Sequence, residues 1–261
     1  MTEGEPRVRL SVVIPSHKRD EDLRDCVASI RDNSTNYCEV IVLTPEAGPR
    51  IRETCNRYHV VLREDGSRAG GNRVKSLWAI INQGIELATS DFVCWLNDDC
   101  TVNSGWDSAA LSYFAPEIGL VVLRTKGINK SPKYGIRLGH YGVPVANYAV
   151  LRKNSRVRFD TRFNWFYGDA DISLQMARDT PFKIAVTTEN LVIHRHRVDS
   201  VRLENENDPR AEQDRRAFDR KWRFFKEAGD RVVAMNSFEA AWTVARDALR
   251  VPYDWIRNHR G

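Results

Sequence analysis

An α/β chain built on a mostly parallel central sheet is the fold class this sequence predicts, on three observations. The first hundred residues alternate strand and helix patterns. The run Leu10-Ser11-Val12-Val13-Ile14 is apolar, largely β-branched and stopped by Pro15. A later apolar run, Phe92-Val93-Cys94-Trp95-Leu96, ends on Asn97-Asp98-Asp99. Alternation of this kind specifies strands joined by helical crossovers. Carboxylates at the carboxyl end of a buried strand stand where such sheets bind ligands.

Taken in order, the first strand is followed by apolar residues at helical spacing, Leu23, Val27 and Ile30. Residues 39–43 form a second strand pattern, 49–58 a helix and 60–62 a short third strand. Gly70-Gly71-Asn72 is expected to open a longer helical stretch carrying Leu77, Ile80, Ile81, Ile85 and Leu87 up to the strand before Asn97. No internal repeat or low-complexity segment interrupts this order.

A chain of 261 residues with 42% hydrophobic content can bury a full core, which excludes a disordered protein. There is no run of ~20 apolar residues to span a bilayer and no apolar signal core at the amino terminus, so a cytoplasmic protein is expected. The five cysteines, Cys26, Cys38, Cys55, Cys94 and Cys100, are odd in number and contain no Cys-x-x-Cys pair. That argues against a disulfide framework and a structural zinc site. The net charge of +5 is spread among acids, as in Arg19-Asp20-Glu21-Asp22, which reads as a mixed solvated surface rather than a nucleic-acid face. The excess can still draw an anionic ligand or an anionic membrane surface. No Gly-x-Gly-x-x-Gly follows the first strand, which excludes a dehydrogenase-type dinucleotide site.

The acidic turn carries chemistry of its own. Asp99 can hold a hard divalent cation through oxygen, and that cation can neutralise a diphosphate, the leaving group of a nucleotide-activated donor.

Four separate elements together resemble a known family. They are Ser11-Val12-Val13-Ile14-Pro15-Ser16, the Gly70-Gly71 turn, Asn82-Gln83-Gly84-Ile85-Glu86-Leu87-Ala88, and Asp91 followed by a strand into Asn97-Asp98-Asp99. Their order and spacing are similar to the nucleotide-binding half of family 2 glycosyltransferases of the GT-A fold, which carry a DxD-type metal motif. The second half continues the likeness through Tyr148 to Lys153, Phe159 to Phe163, Tyr167 to Gln175, and Val192-Ile193-His194-Arg195-His196, and on to Lys221-Trp222.

The resemblance implies a GT-A catalytic domain over 1–205, with a nucleotide-sugar-binding half at about 8–110 and an acceptor half at about 111–205, followed by a helical extension over 206–261. It implies transfer of a sugar from a nucleotide-diphosphate donor, a UDP-sugar on family frequency, to a hydroxyl acceptor, aided by Mn2+ or Mg2+. Asp169 falls on the position of the catalytic base; the competing reading is a helix cap. Asp171, two residues on, lies off that face and caps the helix or orients a loop. Asp99 and His194 are the candidate cation ligands, with His196 an equally spaced rival. Pro15, Ser16 and His17 match the first nucleotide-contacting loop, Asp98 is the candidate ribose contact with Asn97 beside it on the donor side, and Asp65 is either a contact to the base edge or an ordinary loop carboxylate.

The chain also departs from the family pattern. Gly168 stands where a Glu is usual, Thr44-Pro45-Glu46 where an Asp pair is common, and Ile81 where an Arg is common. A retaining or nucleotidyl-transferring enzyme and a binding protein without turnover therefore remain alternatives.

Residues 126–142, rich in glycine, basic and aromatic residues, suit a mobile loop over an acceptor or an ordinary surface loop. Trp165 and Phe166 suit sugar stacking or a core role. Residues 208–228 form an amphipathic pattern with Ala217, Phe218, Trp222 and Phe225. A second helix, about 237–250, places Phe238, Trp242, Ala245 and Leu249 on one face, with Arg246, Arg250, Arg257 and Arg260 nearby and Trp255 and Ile256 after it. It covers the domain's own core, lies on a membrane surface or forms a dimer contact.

Overall fold

Period-two alternation in the first strand sorts its side chains onto two faces, and each face has its own core. In this computed structural model, residues 9–66, 68–69, 72–73, 75–126, 143–195, 208–228 and 231–244 are described. Strand β1 (Leu10–Pro15) sends Leu10, Val12 and Ile14 into one buried cluster and Val13 into the other. Helix α1 (Asp20–Asn33) covers the first face with Leu23, Val27 and Ile30, all fully buried, as their spacing predicts. Strand β2 (Cys38–Thr44), helix α2 (Pro49–Arg57, Pro49 in its first turn) and strand β3 (Val61–Glu64) complete the opening unit.

The long helix begins later than the glycine pair suggested. Arg68–Ala69 (β4) and Asn72–Arg73 (β5) pair as a short antiparallel ribbon, and α3 runs over Leu77–Leu87. Its start is set by Ser76, whose hydroxyl accepts from the Ala79 amide at 3.1 Å. Gly70 and Gly71 lie outside the described residues. Gly84 lets α3 approach the sheet: a Cβ there would fall 2.3 Å from Val13 Cγ1.

Strand β6 (Phe92–Trp95) pairs in parallel with β1, then β7 (Cys100–Val102), α4 (Trp106–Ser112), β8 (Ile118–Lys126) and β9 (Ala149–Arg152) follow. Helix α5 (Gly168–Asp179), β10 (Lys183–His194), α6 (Arg210–Trp222) and the hairpin β11 (Phe225–Ala228) with β12 (Arg231–Ala234) complete the described order. The main sheet runs β3-β2-β1-β6-β9-β8-β10-β7. It is parallel through β3, β2, β1 and β6, while β9 opposes both of its neighbours and β7 opposes β10. The sheet is thus mixed rather than simply parallel.

Only residues 96–99 separate β6 from β7, yet the two stand far apart in the strand order, so the sheet curls back on itself. Register shifts in β10 between Val186 and Asn190, and between Asn190 and Val192, precede the stretch where Val192 and Ile193 pair with both β8 and β7. That curl carries His194 back over the carboxyl ends of β1 and β6. On the other face, α6 buries Phe218 and Trp222 in the cluster that holds α3 and α5. All five cysteines are buried free thiols.

Candidate active site

The carboxyl ends of the parallel strands hold the predicted donor-side residues together. Ser16, immediately after Pro15, is anchored by its amide to Leu43 O at 2.8 Å, and Asp65 by its amide to Thr44 O at 2.8 Å. Both are buried, and His17 is half-buried beside Ser16. Lys75 Nζ donates to the Asp65 carbonyl at 2.6 Å. The Asn97 carbonyl accepts from the Cys100 amide at 3.2 Å, which shapes the turn that presents Asp98 and Asp99.

The two aspartates are buried and differently partnered. Asp98 Oδ2 accepts from Ser16 Oγ at 2.9 Å. Asp99 Oδ1 lies 3.1 Å from His194 Nε2. The pairing follows from sheet register, because His194 on β10 stands opposite Cys100 on β7. Arg19 Nη1 reaches Asp99 Oδ2 at 3.1 Å and Asp98 Oδ1 at 3.4 Å.

Burial, with the neighbouring Asp99 charge, pushes Asp98 up to about 7 against the opposing pull of Arg19 and Ser16. Burial acts on Asp99 in the same direction, but the hydrogen bond from His194 and the charge of Arg19 outweigh it and hold that carboxylate below its ordinary range. Arg19 carries no motif; its one signal was a cation in the loop after β1.

Donor atoms of Asp99, Cys100 and His194 lie within 4.8 Å of one another. Burial pushes the Cys100 thiol up, while Asp99 offers a carboxylate oxygen and His194 a ring nitrogen. Such a set suits a hard or borderline divalent cation that completes its coordination with water and phosphate oxygens. His196 lies outside the described residues.

Asp169 stands in the first turn of α5. Its Oδ1 accepts from the Ala170 amide at 2.9 Å, and its Oδ2 from the Asn147 side-chain amide. Asn147 is followed directly by Tyr148, whose hydroxyl meets His194 Nδ1 at 3.2 Å. The segment 147–148 therefore joins the Asp169 side of the site to the His194 side. Gly168, where the resemblance expects Glu, has a physical reason: a Cβ there would lie 2.3 Å from the Trp78 indole.

Asp171 neither caps the helix nor orients a loop. It is 0% exposed and receives Lys221 Nζ at 2.7 Å, Trp222 Nε1 at 2.8 Å and Gln175 Nε2 at 2.6 Å. Asp214, also on α6, accepts from the amides of Asn164, Trp165 and Phe166 at 2.8, 2.8 and 3.0 Å and from Asn164 Nδ2 at 2.9 Å. It shapes the loop that leads into Asp169. Sequence reasoning missed Asn147, Tyr148 and Asp214 because each is defined by a partner distant in the chain.

Trp165 and Phe166 are half-buried. Thr44 and Ile81 are buried, and Thr44 Oγ1 is spent on the Glu46 carbonyl at 3.0 Å. Residues 127–142 lie outside the described set, as do Ala245 to Ile256 and the four tail arginines. The described part of the last helix, 237–244, leaves Phe238 80% and Trp242 66% exposed. Among the described residues no helix is long and apolar enough to cross a membrane.

The fold is similar to those of several solved structures. Glucosyl-3-phosphoglycerate synthase from Mycobacterium tuberculosis, solved with Mn2+, UDP and glucosyl-3-phosphoglycerate, superposes with a TM-score of 0.60 at 13% identity over 82% of this chain and 80% of that one. S. aureus TarS gives 0.55 at 12% identity over 71% of this chain and 60% of that one, so the chain spans less than two thirds of that neighbour's length. The mannosyltransferase PcManGT from Pyrobaculum calidifontis, solved with GDP-Man and Mn2+, gives 0.53 at 13% identity over 73% and 59%. These likenesses establish a shared α/β fold. No curated protein matches the chain. The sequence model described as glycosyl transferase family 2 matches residues 11–177, well over half of the 261 residues, and the chain belongs to that family of glycosyltransferases.

Proposed function

We propose that this chain is a metal-dependent inverting glycosyltransferase that moves a sugar from a nucleotide-diphosphate donor to a hydroxyl acceptor. The observation that carries the reading is Asp99 Oδ1 within 3.1 Å of His194 Nε2 at the carboxyl ends of the parallel strands. Residues of about 8–110 form the donor side and those of about 111–205 supply the base and the histidine. Asp99 and His194 would hold Mn2+ or Mg2+, which when bound offsets charge on the departing diphosphate.

Pro15, Ser16 and His17 line the nucleotide loop, Asn97 and Asp98 reach the ribose hydroxyls, and Asp65 stands at the base edge. Arg19, paired with both aspartates, supplies a cation beside the path of the diphosphate. Asp169 takes the proton of the acceptor hydroxyl as its oxygen bonds to the anomeric carbon and the bond to the diphosphate breaks. Both Asp169 oxygens accept hydrogen bonds, which suits an ionised carboxylate, an acceptor-only group.

Structural neighbours were solved with UDP or GDP-Man and with Mn2+, and a UDP-sugar is the donor we infer first. The exposed Phe238 and Trp242 favour a surface contact for this end of the chain, with a membrane or a second copy. Calorimetric titration with UDP, GDP and TDP, each with and without Mn2+, tests the donor site. Mn2+-dependent binding of one nucleotide, lost in Asp99→Ala, is expected; metal-independent binding that survives the substitution would overturn the reading. For the base, Asp169→Asn should abolish transfer and leave nucleotide binding near normal.

A further inference from the structure

We propose that Tyr148 is a positioning residue that fixes the ring of His194, committing Nδ1 to its hydroxyl so that Nε2 is turned to the cation. The inference rests on the metal-dependent reading above and deepens it. Tyr148 sits immediately before β9 in the first core cluster, and its carbonyl accepts from the Leu123 amide at 2.9 Å, so its backbone is locked to β8. Its ring meets the imidazole edge-on, with centroids 5.6 Å apart at 88°. The hydroxyl lies 3.2 Å from Nδ1, while Nε2 on the far side lies 3.1 Å from Asp99 Oδ1.

A neutral imidazole has one donor nitrogen and one acceptor nitrogen. A cation held jointly with Asp99 takes the lone pair of Nε2, which places the ring proton on Nδ1. Tyr148 is the group positioned to accept it, as outer partners of metal-binding histidines do. Without the cation the hydroxyl turns and donates to Nδ1, leaving Nε2–H to donate to Asp99. A phenol serves both tautomers, and a phenylalanine serves neither.

Two measurements test this. The first is calorimetric titration of Mn2+ alone into the parent, Tyr148→Phe and His194→Ala, with circular dichroism to check folding. Tyr148→Phe is expected to bind Mn2+ about tenfold more weakly. Parent-like affinity in Tyr148→Phe beside lost binding in His194→Ala would overturn the positioning role while leaving the metal site standing. Parent-like affinity in both variants would overturn the metal site itself. The second measurement needs no variant: two-bond 15N correlation spectra of the parent should show His194 pass to the Nδ1–H tautomer on saturation with Mg2+. Retention of Nε2–H at saturation would overturn the proposal.

Discussion

Asn147 and Tyr148 are consecutive residues whose side chains serve opposite halves of the site: Asn147 donates to Asp169 Oδ2, and Tyr148 meets His194 Nδ1 at 3.2 Å. Ala149, next in the chain, is registered against Val122 of β8 and Trp95 of β6, so the sheet itself fixes the spacing between the proposed base and the proposed cation ligand. Asn147→Ala removes one of the groups that aim Asp169 and touches none of the donor residues. Its kcat should fall on the order of tenfold to a hundredfold, the scale on which small misplacements act. Nucleotide affinity should stay near that of the parent. Steady-state kinetics beside calorimetry separates the two quantities, and an unchanged kcat would deny Asn147 the aiming role.

Gly168 and Trp78 occupy a single volume. The indole stacks on Phe159, with centroids 4.8 Å apart at 20°, and Trp95 meets the same ring edge-on, so Trp78 has little room to yield. Gly168→Ala should therefore overpack the start of α5 and cost about 1–3 kcal/mol in urea unfolding. In a Trp78→Leu background the same substitution should cost less than about 1 kcal/mol. Equal penalties in the two backgrounds would show that the clash is not with the indole.

What the sequence disclosed and what it hid divide along physical lines. The strands and helices of residues 10–95 are written in local periodicity, so Leu23, Val27 and Ile30 fall on the buried face that their spacing requires. The turn holding Asp98 and Asp99 was legible because strand ends are where polar groups can meet a ligand. The late start of α3 was not, because Ser76 caps it while the glycine pair, Gly70-Gly71, comes earlier in the chain. The antiparallel half of the sheet and the curl at β10 depend on long-range register that no local pattern encodes. Arg19 and Asp214 look like ordinary surface charges in the sequence; only the fold brings Arg19 onto the acidic turn and Asp214 under the 164–166 loop.

Acid should loosen the contact between α6 and the domain in a defined window. Burial would raise Asp160, but hydrogen bonds from Arg162 and Lys221 outweigh it and hold the carboxyl well below its usual range. A group whose folded pKa is depressed contributes stability that is present above its unfolded pKa, about 4, and is lost as pH falls below that value. The parent should thus lose stability between about pH 4 and pH 2. Asp160→Asn, less stable at neutral pH, should lose less over the same interval. Chemical denaturation at several pH values checks this, and parallel pH curves for the two proteins would refute it.

Lys221 is the cation on which two carboxylates depend. Its ammonium lies 2.8 Å from Asp160 and 2.7 Å from Asp171, and Asp171 is 0% exposed. Trp222 and Gln175 donate to Asp171 as well, but both are neutral. Lys221→Met removes the cation in contact with a buried carboxylate and leaves its neutral hydrogen-bond donors, a change that typically costs about 3–5 kcal/mol. Replacing both partners, Lys221→Met with Asp171→Asn, removes the charge along with its counter-ion and should recover a large part of that loss. Because Asp214 on the same helix holds the loop before Asp169, the single variant should also lose transfer activity at temperatures below its own unfolding midpoint. Urea denaturation of the four proteins of this cycle gives the coupling energy directly; a coupling near zero would mean that Lys221 packs against α5 without balancing Asp171.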